Sequence, residues 1–152
     1  MAEVRFEGLD KLAAALKEFS PTVQRKGLRQ AVAAGSKIVR DEAKLKAPVY
    51  TGHISQGHPP PGTLKRAIAM ARNRRESSPG CEVYHVYVRR DKVRSNGRFD
   101  AYYAHMVEFG TVKMTARPFM RPAFEATKRD CVDAVTESLT KTIEQIAKDI
   151  SR

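Results

Sequence analysis

The sequence predicts an α+β fold: two N-terminal helices, a small mostly antiparallel β-sheet, and a long C-terminal helix. Apolar residues recur at spacings of three and four near both ends of the chain, the mark of one-sided helices. The middle instead alternates with a period of two between glycine and proline turns, as strands do. The length of 152 residues suits a single domain over residues 1–152.

Val4 to Phe6 reads as a short strand or arm closed by Gly8. Leu9, Leu12, Leu16 and Phe19 then give the first amphipathic helix. Ser20 is placed to cap a second helix and Pro21 to occupy its first turn. Val23, Leu28, Val32, Ile38 or Val39, and Leu45 carry that helix to about Lys46, where Ala47-Pro48 stops it. Residues 48–63 form a loop rich in proline and glycine.

Leu64 to Asn73 reads as a helical turn passing into a strand, and Ser77-Ser78-Pro79-Gly80 as a turn. Cys81 to Arg89 places Val83, His85 and Tyr87 on one face and Tyr84, Val86 and Val88 on the other. With both faces largely apolar, it is the expected central strand. Asp91 to Phe99 is a basic loop turning at Asn96-Gly97. Ala101 to Phe109 alternates as a strand with Tyr103, Val107 and Phe109 inward, although a short helix would also group Tyr103, Met106 and Val107. Beyond Pro118 and Pro122, the residues Phe124, Cys131, Val135, Leu139, Ile143, Ile146 and Ile150 predict a continuous stripe on a last helix.

The net charge of +11 is unevenly placed. Residues 65–98 hold ten Lys or Arg against Glu76, Glu82 and Asp91, whereas residues 125–152 are close to neutral. A basic segment of this kind suits a polyanion or an acidic protein surface, or serves as a solvated loop. No run approaches the roughly 18 apolar residues of a membrane helix. The N-terminus, with Glu3 and Glu7, does not resemble a signal peptide. Cys81 and Cys131 lack metal or redox spacing and are expected to be unpaired thiols.

His53, His58, His85 and His105 have no second ligand pair at metal-binding spacing, so no metal and no cofactor are expected. No phosphate-binding glycine loop and no Gly-x-Ser-x-Gly elbow is present. Glu108 is a lone acid among apolar neighbours, better suited to a salt bridge or a cap than to acid–base catalysis. The expectation is a protein without enzymatic activity.

Two neighbouring runs stand out: Tyr103, Ala104, Val107, Glu108, Phe109, Gly110 and Thr111, then Arg117, Pro118, Phe119, Arg121, Pro122, Ala123 and Phe124. Two prolines four apart make a rigid corner into the last helix, and Gly110 is expected to need a backbone conformation closed to other residues. These runs resemble the hallmark of a family of tailed-bacteriophage proteins named for the gene-ten product of a lambdoid Hong Kong phage. Gly8-Leu9 with Leu12 and Leu16, Ala47-Pro48, Thr51-Gly52 and Gly62-Thr63-Leu64-Lys65 resemble further parts of that pattern. The likeness spans about residues 4–130, with His53 to Pro61 as an insertion.

The resemblance implies a structural virion protein, a ring-forming neck or tail-completion subunit at the head–tail joint, made in the cytoplasm of the bacterial host. Its implied partners are further copies of itself in a ring, expected to be a hexamer, the neighbouring head–tail connector and tail-tube or terminator proteins, and phage double-stranded DNA. No membrane is involved. Related roles are tail terminator, stopper or adaptor, and a different class is a basic nucleic-acid-binding module. In either setting Arg89, Arg90, Lys92, Arg94 and Arg98 are candidates to face DNA or to dock on an acidic ring.

Overall fold

A computed structural model describes residues 11, 14, 17, 20–51, 59–90 and 101–150 of the chain. Its elements are helix α1 (Pro21–Lys46), helix α2 (Thr63–Ala67), strands β1 (Ile68–Arg72) and β2 (Tyr84–Val88), helix α3 (Ala104–Phe109) and helix α4 (Met120–Ile150). Lys11, Ala14 and Lys17 are also helical, while the rest of the predicted first helix, the Val4–Phe6 arm, the Asn96-Gly97 loop, His53 and His58 lie outside the described residues. The α+β class therefore holds, with one small sheet between helical ends.

Helix α1 has the predicted bounds and 26 residues, roughly 39 Å at the α-helical rise. The Ser20 carbonyl accepts its first bond, from Gln24 N–H at 3.0 Å, and Ala47 N–H closes its end on the Ala43 carbonyl, also at 3.0 Å. The most buried residues of α1 and its exit are not the large ones. Gly27, Ala31, Gly35, Val39, Ala43 and Ala47 follow one another every fourth position and all are buried, whereas Leu45 is exposed. Positions four apart stack along one side of a helix, so small residues there present a nearly bare backbone edge.

The helical turn followed by a strand over Leu64 to Asn73 is present as α2 running into β1. Asn73 N–H donates to the Val83 carbonyl at 2.8 Å, and Arg89 N–H donates to the Ala67 carbonyl at 3.0 Å. These two bonds close the ladder at opposite ends and fix an antiparallel pairing with Met70 opposite Val86. Among the described residues the sheet has two strands, so the expected central place of β2 between two neighbours is not seen there. Tyr84, Val86 and Val88 are half-buried, while His85 and Tyr87 on the other face are exposed. Tyr87 tolerates this because its ring carries a polar hydroxyl.

Residues 101–109 also depart from the preferred reading. They form a turn and α3 rather than a strand, with Ala104 buried, Val107 half-buried and Phe109 79% exposed. Over so short a run, period two and period 3.6 select overlapping positions, and packing favours the helix.

The chain splits into two compact units. One comprises Met1–Gly35, Arg72–Tyr84 and Asp130–Arg152. Within it Ala31 and Leu139 form a core with Leu28, Val135 and Ile143 packed around them. At Gly35 an added Cβ would lie 2.8 Å from both Cys131 Sγ and Val135 Cγ2 and 2.9 Å from the Cys131 carbonyl oxygen. The glycine is thus what lets α1 and α4 approach so closely there. Burial pushes the Cys131 thiol pKa up, and Cys131 and the exposed Cys81 are both free thiols.

The same unit holds the β1–β2 turn. Pro79-Gly80 reverses the chain, with Gly80 at φ +83°, and Ser78 and Cys81 exchange backbone bonds of 2.8 and 3.0 Å. Arg72 grips Glu82 with two bonds, Nε to Oε2 at 2.5 Å and Nη2 to Oε1 at 2.7 Å. Arg29 from α1 stands 3.9 Å from the same carboxylate, whose side chain is only 2% exposed. Part of the charge in the basic segment is therefore committed to an internal ion pair.

The second unit comprises Ser36–Ala71 and His85–Arg129. Its core consists of Ala43, Ala47, Leu64, Ala67, Ile68, Ala101, Ala104 and Ala123 around Phe119, which is 1% exposed. Val86, Val88, Tyr103, Val107 and Met120 pack against it. Among the described residues no helix is long and apolar enough to cross a membrane.

Candidate functional site

The segment from Tyr103 to Phe124 folds as a corner within the second unit. Tyr103 opens α3, and its half-buried phenol has its pKa pushed above the ordinary 10.0, mainly by burial. Its ring meets Tyr102 edge-on at 5.7 Å between centroids. Glu108, near the end of α3, then reaches the start of α4. Its Oε2 accepts from the Phe119 N–H at 2.8 Å and the Met120 N–H at 3.0 Å, while Oε1 accepts from the Arg121 N–H at 3.2 Å.

The first N–H groups of a helix have no partner within it, and the same end carries a partial positive charge. Helix α4 has no acid in its own first turn. Glu108 supplies both the hydrogen-bond acceptors and the negative charge. With three main-chain donors on its two oxygens, the carboxylate works as a cap.

Gly110 ends α3 at φ +76° and ψ 178°, with its N–H on the Met106 carbonyl at 2.8 Å. An added Cβ would meet Ala116 N at 2.8 Å and the Met114 carbonyl oxygen at 3.0 Å, so glycine is required on two counts. Thr111 and Met114 next exchange backbone bonds of 2.8 and 3.2 Å, leaving Val112 and Lys113 as a two-residue hairpin tip. Arg117 N–H returns to the Val107 carbonyl at 2.8 Å, which closes the corner on α3.

The corner divides its aromatic residues in a way that residue type does not reveal. Phe119 is a core residue, only 1% exposed, and offers no surface for a contact. Phe109 and Phe124 are 79% and 51% exposed, and Phe124 does not belong to a continuous buried stripe on α4. Val112 is fully exposed and Met114 is 42% exposed. Ala104 is buried and Pro122 half-buried, whereas Thr111, Arg117, Pro118 and Arg121 are exposed. Sequence reasoning missed Val112 and Met114. Val-Lys carries none of the glycine or asparagine that marks a two-residue hairpin, so the sequence offered no signal for it.

The basic candidates behave differently from one another. Arg89 is half-buried and donates from Nη2 to the Arg66 carbonyl at 2.7 Å, so its side chain is turned to the backbone of its own unit. Arg90 is exposed, and Lys92, Arg94 and Arg98 lie outside the described residues. Exposed Arg74 and Arg75 follow β1, where the Asn73 side-chain oxygen accepts from the Arg75 and Glu76 N–H groups at 3.1 and 3.3 Å. His105 is exposed, with Nδ1 3.0 Å from the Tyr102 carbonyl oxygen. Among the described residues no group of three or more His, Cys, Asp or Glu is placed to hold a metal ion.

Residues 10–110 match the family described as "Bacteriophage HK97-gp10, putative tail-component". The chain belongs to this family. The match takes in α1, the sheet, α3 and the motif from Tyr103 to Gly110, and it ends before the hairpin, Arg117-Pro118 and α4. Comparison with curated proteins and with solved structures gave no match. As a member of the HK97-gp10 family the chain is a phage tail component, which assigns it a structural role in a bacteriophage particle.

Proposed function

We propose that this HK97-gp10 family member is a ring-forming neck or tail-completion subunit at the head–tail joint, and that it has no enzymatic activity. The supporting observation is the corner itself. Glu108 fixes the entry of α4, and the same short segment leaves Phe109, Val112, Met114 and Phe124 exposed. A rigid junction that presents apolar side chains to water suits a subunit whose remaining partners are other proteins.

In this reading the ring is a hexamer matching the tail tube, its neighbours are connector and tail-tube or terminator proteins, and phage DNA passes through its centre. Loose, salt-sensitive contact from exposed arginines such as Arg90 would allow that DNA to slide. Terminator, stopper and adaptor are sister roles at the same joint. Electron microscopy of tails and necks carrying a labelled subunit tests the assignment. A symmetric ring of label at the joint is expected, and a single copy per particle or label elsewhere overturns it. Loss of a nuclease or other metal-dependent activity on chelation would overturn the non-enzymatic reading.

A further inference from the structure

Three exposed bases lie close in sequence to the exposed apolar tip of the corner. Lys113 lies in the hairpin tip beside Val112, and Arg117 and Arg121 are exposed on the return into α4. Glu108 is occupied with the α4 amides, and Glu125 is paired with Lys128 at 2.5 Å. A surface of Phe109, Val112 and Met114 rimmed by Lys113, Arg117 and Arg121 calls for a partner that is apolar in the middle and acidic at its edge.

The chain itself carries such a surface, in its other unit. Asp130, Asp133, Glu137 and Glu144 on α4 are all exposed, and their spacings of three, four and seven place them along one helical face. Of these acids Glu137 borders an open groove of about 730 Å³, whose walls include Val23, Ala34, Ala134 and Ile146 together with the bases Lys26 and Lys141. An acidic stripe therefore runs beside a partly apolar recess. Lys141 and Lys148 stand on the same face, and Lys141 is paired with Glu137 at 2.6 Å, so the stripe is four acids against two bases.

We infer that the Val112 hairpin of one copy docks in the Val23–Ile146 groove of the next, with Lys113, Arg117 and Arg121 set against the acidic stripe of α4. The inference rests on the ring reading and adds the faces that meet. The two faces are unlike, so the contact is head-to-tail, the kind that generates closed rings when its rotation closes. DNA is the other polyanion that could meet the three bases, but Phe109 and Val112 offer nothing to a phosphate backbone.

The test places a photo-crosslinking amino acid at position 112, where full exposure spares the core, in the full-length protein assembled into particles. The crosslinked peptides are identified by mass spectrometry, and electron microscopy counts the copies at the joint. Adducts to peptides within residues 130–146 of another copy are expected. The variant K113E/R117E/R121E should cut their yield about tenfold, as should D130K/D133K/E137K. A mixture of the two variants should restore it, because each reversed face then meets a complementary one. Circular dichroism of each variant checks that it folds. Several copies at the joint with adducts elsewhere, to DNA or to another protein, or with no adduct, overturn the docking and leave the ring standing. A single copy overturns both. A mixture that fails to restore crosslinking between folded variants also overturns the docking.

Discussion

Glu108 accepts a hydrogen bond from the backbone N–H of Met120, the first residue of α4, across twelve positions of sequence and at 3.0 Å. Most helix caps come from the residue just before the helix, whereas this one comes from a different helix. The bond therefore ties two elements together as well as ending one of them. Glu108→Ala should lower stability by about 1–2 kcal/mol, in the range of a lost N-cap. Glu108→Gln, which keeps one acceptor oxygen but no charge, should lose less. Urea titration followed by circular dichroism gives both values, and an unchanged midpoint for Glu108→Ala would count against the cap.

Gly110 and Gly80 differ in how strictly each must be glycine, because Gly110 at φ +76° and ψ 178° combines a backbone conformation nearly reserved to glycine with a collision. Both have positive φ, +76° and +83°, but an added Cβ meets backbone atoms of Ala116 and Met114 at the first and open space at the second. Gly110→Ala should cost about 2–3 kcal/mol and Gly80→Ala about 1 kcal/mol, the penalty of left-handed backbone alone. Thermal melts of the two variants side by side check the order, and equal losses would remove the distinction.

At Gly35 the collision involves both side chain and backbone. Gly35→Ala should destabilise by about 1–3 kcal/mol through overpacking. Adding Cys131→Ala removes the sulfur contact at 2.8 Å but leaves Val135 Cγ2 at 2.8 Å and the carbonyl oxygen at 2.9 Å. The double variant should therefore recover only part of the loss. Full recovery would show that the sulfur alone blocks the approach.

Acid should weaken the Arg72–Glu82 clasp. The Arg72 guanidinium, bonded to Glu82, holds that carboxyl below its ordinary value of 4.5, with Arg29 and the Ser77 hydroxyl acting in the same direction against burial. A group whose pKa is lower in the folded chain stabilises fully above its unfolded value and loses that contribution as pH falls through the folded one. Wild type should therefore lose stability more steeply than Glu82→Gln as pH drops below about 4.5. Urea midpoints measured between neutral pH and strong acid check this, and parallel pH profiles would show that the pair adds nothing.

Much of this architecture was legible because its signals are local. Ser20-Pro21 and Ala47-Pro48 bracket α1, and Pro79-Gly80 marks the turn between the strands. What was not legible depends on contacts between distant residues. Arg72 and Glu82 entered the charge count as separate ions, ten positions apart, although they form one pair. Phe109, Phe119 and Phe124 are the same residue type in one motif, yet only Phe119 is buried, because the direction each takes is set by the cap and the hairpin. Glu108 was readable as a cap or an ion pair, but its three amide donors were not. The bases beside Asn96-Gly97 include only Arg89 and Arg90 among the described residues, and Arg89 faces a carbonyl.

The run Gly27, Ala31, Gly35, Val39, Ala43, Ala47 escaped notice because a search for large apolar side chains passes over small ones. Its consequence is an unusual map of mutational tolerance. In most amphipathic helices, trimming a large buried side chain is the damaging change and enlarging a small one is rarer trouble. Along this edge the order is inverted. A saturation library of α1 should reject additions of even one or two carbons at Ala31, Gly35 and Ala43, while exposed Leu45 accepts almost any polar replacement. Such a helix is legible by the residues it excludes, and a pattern of forbidden volume every fourth position would identify it where charge and hydropathy say little.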